Sequence, residues 1–128
     1  MLIFRMNSDS QGKVEKHFKV KEFACKDGSD LVLIDEKLAG LLENIREHFE
    51  KPVHINSAFR TENWNDAVGG RRYSRHLAGE AADIWVKDVK PHDVALYADS
   101  ILGEAGGIIC YTNFVHVDVR KSYYRKGV

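Results

Sequence analysis

The sequence predicts one α+β domain built around a small antiparallel sheet flanked by helices. Three observations carry this reading. Val115, Val117 and Val119 alternate with Phe114, His116, Asp118 and Arg120, the period of a strand with one face in a core. Ala82, Ile84 and Val86 alternate in the same way against Ala81, Asp83 and Trp85. Two further runs have helical spacing, and strands and helices mix without the regular βαβ rhythm of a parallel sheet.

Taken in order, the stretch to about Lys16 is polar and reads as a loose leader, with Phe18, Val20 and Phe23 as the first core contacts. Lys26–Asp30 has the composition of a turn, and Leu31–Ile34 is a short apolar run. Asp35 is placed to cap a helix on which Leu38, Leu41, Leu42, Ile45 and Phe49 share a face, and Pro52 ends it. Val53–Ser57 reads as a strand. Thr61 can cap a short helix over Glu62–Val68, stopped by Gly69-Gly70. Pro91 suits the start of a second long helix, with Val94, Ala98, Ile101 and Leu102 as its apolar stripe and Gly106-Gly107 just beyond it.

Length and composition narrow the function classes. A chain of 128 residues with 44% hydrophobic residues fits one compact domain, residues 1–128, with a real core. Lys plus Arg (19) balances Asp plus Glu (19), which argues against a nucleic-acid-binding protein. Basic residues at the end, Arg120-Lys121 and Arg125-Lys126 with Tyr123 and Tyr124 between them, read as a solvated tail. Cys25 and Cys110 form neither a disulfide framework nor a Cys-x-x-Cys motif, and Cys110, in an apolar run, reads as a buried thiol. No apolar run reaches the ~20 residues of a membrane span, and Met1–Arg5 is too short for a secretory signal. The expectation is a monomer made in the cytoplasm without a signal peptide, with no membrane partner.

Of six histidines, His17, His48, His54 and His92 read as surface or structural residues. His76 and His116 differ in their surroundings. A catalytic zinc takes three protein ligands and leaves a fourth place open, and two imidazoles plus the carboxylate of Asp83 would meet that need. A hydrogen-bonded His–Asp pair in a polar core explains the same residues about equally well.

The wider pattern goes further. Ser74-x-His76-x-x-Gly79-x-Ala81-x-Asp83, followed by Val115-His116-Val117-Asp118, resembles the zinc D-alanyl-D-alanine carboxypeptidases. That family includes D,D-dipeptidases and phage endolysins and shares the hedgehog/DD-peptidase fold. Ile55–Thr61 resembles its Ser-Gly-Tyr-Arg-Ser/Thr segment, and Asn65-x-x-Val68-Gly69-Gly70 precedes the metal motif as in many members. The resemblance runs from roughly Phe18 to Arg120. It implies His76, Asp83 and His116 as ligands of one zinc, Arg60 as the cation that stabilises charge on the scissile carbonyl, and Ser74 near the substrate. It also implies metal-assisted hydrolysis of peptidoglycan stem peptides, as a carboxypeptidase or an endolysin-type endopeptidase, after holin-type release or other export.

One departure matters. Where many members carry a Glu or Asp base, three residues before the last histidine, this chain has Asn113. Asp118 is then the candidate base, with a role in orienting His116 or pairing with Arg120 nearly level with it, and Glu80 is a third candidate. A zinc-containing binding module without turnover is the alternative reading.

Overall fold

The computed structural model describes residues 1–128. In chain order the elements are β1 (Leu2–Arg5), α1 (Met6–Asp9), β2 (Lys13–Glu15), β3 (Phe18–Lys19), β4 (Leu31–Ile34), α2 (Glu36–Phe49), β5 (Val53–Ser57), α3 (Glu62–Ala67), β6 (Ala81–Val86), α4 (Pro91–Leu102), β7 (Gly106–Cys110), β8 (Val115–Asp118) and β9 (Tyr123–Lys126). Single 3-10 turns occupy Val20–Phe23 and Arg75–Ala78. The fold class is α+β, as expected.

Local chemistry starts and stops the helices. The Asp35 carboxylate accepts the Lys37 backbone N–H at 2.8 Å, and the Thr61 hydroxyl accepts that of Trp64 at 3.2 Å, so both predicted caps are in place. Pro91 opens α4 where its missing N–H removes no helical bond. Helix α2 stops before Pro52 is reached: Glu50 turns left-handed at φ 53° and donates its N–H to the Arg46 carbonyl.

Five strands form the central sheet in the order β5-β6-β8-β7-β9. Helices α2 and α4 lie against the face carrying Ala82, Ile84, Val115 and Val117, and these join Leu42, Ile45, Val94, Ala98 and Ile108 in one buried core. The predicted alternation therefore holds. It leaves Asp83 and His116 on the opposite face, and the register places them directly across from each other.

Three expectations are corrected. The leader is not loose: β1 pairs with β4 from Leu2↔Ile34 to Arg5↔Leu31, because Leu2 and Phe4 pack on the core while Ile3 and Arg5 face out. Of the two readings open to His17, the structural one holds: its backbone N–H and its ring Nδ1 both donate to Glu43, at 2.8 and 2.6 Å. The basic end is not a solvated tail. Tyr123–Lys126 forms β9, parallel to β7, so the sheet is mixed rather than wholly antiparallel. Arg125 anchors it by donating to the Asp99 carboxylate and to the carbonyls of Gly103, Ala105, Gly106 and Tyr124. Cys110 is only half-buried: it shares the core-facing side of β7 with Ile108 and packs on the core, but it is the last residue of that strand and is less covered than Cys25.

Candidate metal centre

Two strands and one turn bring the three expected ligands together. Asp83 projects from β6, His116 from the opposing residue of β8, and His76 from the turn before β6. Ser74 caps that turn, its hydroxyl accepting the His76 backbone N–H at 3.2 Å. Gly79 ends it in the left-handed region (φ 70°), where a Cβ would stand 2.4 Å from the Leu33 carbonyl oxygen. The turn is thus pressed against β4, and the Gly79 carbonyl accepts the Asp35 N–H at 2.9 Å.

The donor atoms fit one metal ion. His76 Nε2 lies 3.3 Å and His116 Nδ1 3.0 Å from the same Asp83 oxygen, Oδ1. Two atoms bound at ~2.1 Å in tetrahedral directions are about 3.4 Å apart, so the trio stands close to ligand geometry. The far nitrogens are fixed as well. His76 Nδ1 contacts the Ala58 carbonyl at 2.7 Å, and a carbonyl only accepts, so Nδ1 carries the proton and Nε2 offers its lone pair. His116 Nε2 donates to Asp118 Oδ2 at 2.8 Å, which frees Nδ1 for the metal. Without an ion, His116 lies between two carboxylates. Burial opposes its charge, yet Asp118 and Asp83 outweigh burial and raise its pKa.

Asp118 is fully buried and has no free oxygen. Oδ1 accepts the Arg120 backbone N–H at 3.1 Å and its Nε–H at 2.8 Å; Oδ2 accepts Arg120 Nη2 at 2.6 Å besides His116. Burial works against its charge, but the hydrogen bonds from Arg120 and His116 prevail and hold the carboxyl well below the usual range. A sealed carboxylate with a depressed pKa is a poor proton acceptor. Of the two roles open to Asp118, this geometry suits orienting His116 better than taking a proton. Gly107 makes room for the arrangement, since a Cβ there would stand 2.3 Å from Asp118 Oδ2.

Arg60 stands beside the ligands. Its Nη2 is 3.7 Å from Asp83 Oδ2, Nε donates to Ser57 Oγ at 3.2 Å, and Nη1 donates to Asn65 Oδ1 at 3.2 Å. Asn65, buried, also donates to the Arg71 carbonyl at 2.8 Å and so ties Arg60 to the loop after α3. The ligands and Arg60 open into a cleft of about 670 Å³, whose walls include Ser74, Tyr111, Phe114, Arg120 and Tyr124. Glu80 does not line it, and Asn113 faces a separate cavity of about 390 Å³.

Sequence reasoning missed part of this site. Arg71, Arg72 and Arg75 also line the cleft, and their signal was the arginine density just before His76. Tyr124 belongs to it through β9, which no local period announced, while Arg120 just after β8 lies on the face the valine alternation assigned to it. A second group within ligand reach, His17, Glu43 and Glu47, is accounted for without an ion, because His17 is spent on Glu43.

Comparison with known proteins agrees with this geometry. No curated protein matches the chain at a significant level. The sequence pattern of the peptidase M15 family matches residues 16–118, which include Arg60, His76, Asp83, His116 and Asp118. This chain belongs to the peptidase M15 family.

Proposed function

We propose that this protein is a zinc-dependent peptidase that hydrolyses peptide bonds in the stem peptides of bacterial peptidoglycan, as a carboxypeptidase or an endopeptidase. The observation that carries the reading is the His76–Asp83–His116 trio, with the far nitrogen of each imidazole fixed by hydrogen bonding and the near side open to a cleft beside Arg60. Two nitrogens and one carboxylate oxygen form the ligand set of an open, catalytic zinc site rather than of a closed structural one. Zinc bound there would polarise the scissile carbonyl and make water a stronger nucleophile near neutral pH.

The side chains supply the rest. Arg60, held by Ser57 and Asn65, presents a permanent positive charge where the carbonyl oxygen gains charge, and its hydrogen-bonded mounting limits reorganisation during reaction. Asp118 keeps the His116 ring in one orientation and one tautomer. Ser74 lines the cleft and contributes first by shaping the turn that carries His76.

One observation favours a second reading, a zinc-containing binding module. Asp83 is the only carboxylate that lines the cleft, so neither Asp118 nor Glu80 is poised to take a proton from water. Incubating the zinc-loaded protein with purified peptidoglycan decides between the two. Mass spectrometry should show shortened stem peptides, lost with a chelator and restored by zinc. Zinc binding without any product, over several wall types, would establish the binding module instead.

A further inference from the structure

The chain as a whole is neutral, but the cleft over the ligand trio is not. Arg60 and Arg120 are balanced there by Asp83 and Asp118. Arg71, Arg72 and Arg75 have no such balance. None makes an ion pair, and none of their guanidinium groups is hydrogen-bonded within the chain, whereas Arg60, Arg120 and Arg125 are each held in both ways. Three cations in one concave wall repel one another and raise the potential inside it, so the arrangement favours an anion.

The segment bearing them is held in place. Asn65 Nδ2 donates to the Arg71 carbonyl at 2.8 Å, the Gly70 N–H donates to the Asn65 carbonyl at 2.8 Å, and the Ser74 N–H donates to the Arg71 carbonyl at 3.0 Å. The backbone is therefore fixed while the three guanidinium groups keep their N–H donors for a ligand; the contact of Arg72 over the Tyr73 ring, 5.5 Å from its centre, uses none of them. A guanidinium matches a carboxylate through two parallel hydrogen bonds, which an amide cannot reproduce.

Building on the proposed peptidase function, we infer that Arg71, Arg72 and Arg75 form a carboxylate-recognition wall, and that the preferred substrate is a peptide bearing a free carboxylate close to the scissile bond. In a stem peptide that carboxylate is either the C-terminus or the α-carboxylate of a γ-linked D-glutamate. Both offer the same chemistry to the wall.

The test uses four synthetic peptides of sequence L-Ala-γ-D-Glu-L-Lys-D-Ala-D-Ala: both carboxylates free, either one amidated, or both amidated. Their affinities for the zinc-loaded protein are measured by calorimetry, and products are followed by mass spectrometry. Amidating both carboxylates should weaken binding by about tenfold or more, and one singly amidated peptide should carry most of that loss, identifying the source. The variant with Arg71→Gln, Arg72→Gln and Arg75→Gln should bind the free peptide no better than the fully amidated one. Its affinity for the amidated peptide and its zinc content should match wild type, and its unfolding midpoint should stay close to it. The replaced groups make no internal hydrogen bond or ion pair, and among them only Arg72 lies over a ring, that of exposed Tyr73. Equal binding of free and amidated peptides, an amidation penalty that persists in the triple variant, or no binding of any of the four would overturn the inference. Selective binding without cleavage would remove the peptidase reading and keep the wall; cleavage indifferent to amidation would do the reverse.

Discussion

Asp118 Oδ2 accepts the Nε2–H of His116 at 2.8 Å while Arg120 covers both oxygens of the same carboxylate. A carboxylate placed this way acts on the metal through the histidine, fixing the ring so that Nδ1 faces the ligand position. Asp118→Asn should weaken zinc affinity by about 10–100-fold, read by competition with a chromophoric chelator. Zinc affinity unchanged with activity abolished would instead make Asp118 a proton-transfer residue.

Arg60 touches Asp83 and faces the cleft, so its charge is the property that matters. Arg60→Lys keeps a positive charge but loses the planar fork that Ser57 and Asn65 hold. We expect kcat to fall by about 100-fold with KM within a few-fold of wild type and zinc content unchanged. A loss expressed mainly in KM would assign Arg60 to substrate binding alone.

Glu43 ties α2 to the segment before β3. Burial opposes its charge, yet the hydrogen bonds from the His17 ring and backbone outweigh that and lower its pKa. A carboxyl whose folded pKa is depressed stabilises the fold above its unfolded pKa, ~4.3, and that contribution disappears as pH falls through the folded value. Glu43→Gln should therefore cost about 1–2 kcal/mol in urea unfolding at neutral pH. The gap to wild type should close in strong acid. A gap that persists there would point to packing rather than charge.

Arg125 holds four carbonyls and Asp99, closing the C-terminal strand onto the turn after α4. Arg125→Met leaves those acceptors without their donor and should destabilise the fold by about 2–4 kcal/mol, measured by denaturant unfolding. Zinc bound per folded chain should not change, because Arg125 does not line the cleft. A cost below ~0.5 kcal/mol would contradict the anchoring role.

The parts of the fold that were legible are those a local period reports. Alternation in β6 and β8 states which side chains face the core, and Asp35, Thr61 and Pro91 announce their helices by their own chemistry. The illegible parts depend on distant partners. Strand β1 is four residues long and exists because β4 lies beside it; β9 exists because β7 does, with Arg125 as its anchor. The site divides in the same way. His76 and Asp83 stand out by motif, but their meeting with His116 requires the register of β6 on β8, which neither segment encodes alone. The role of Asp118 stayed open between base and orienting residue because spacing places it on the face of His116 without revealing that Arg120 seals it.

The central claim is that His76, Asp83 and His116 hold one zinc ion. Anomalous scattering at the zinc edge from crystals of the zinc-loaded protein tests it most directly. The account predicts one strong peak per chain, at ~2.0–2.2 Å from His76 Nε2, an Asp83 oxygen and His116 Nδ1. A peak bonded to other residues, or none at this trio after zinc loading, would contradict it.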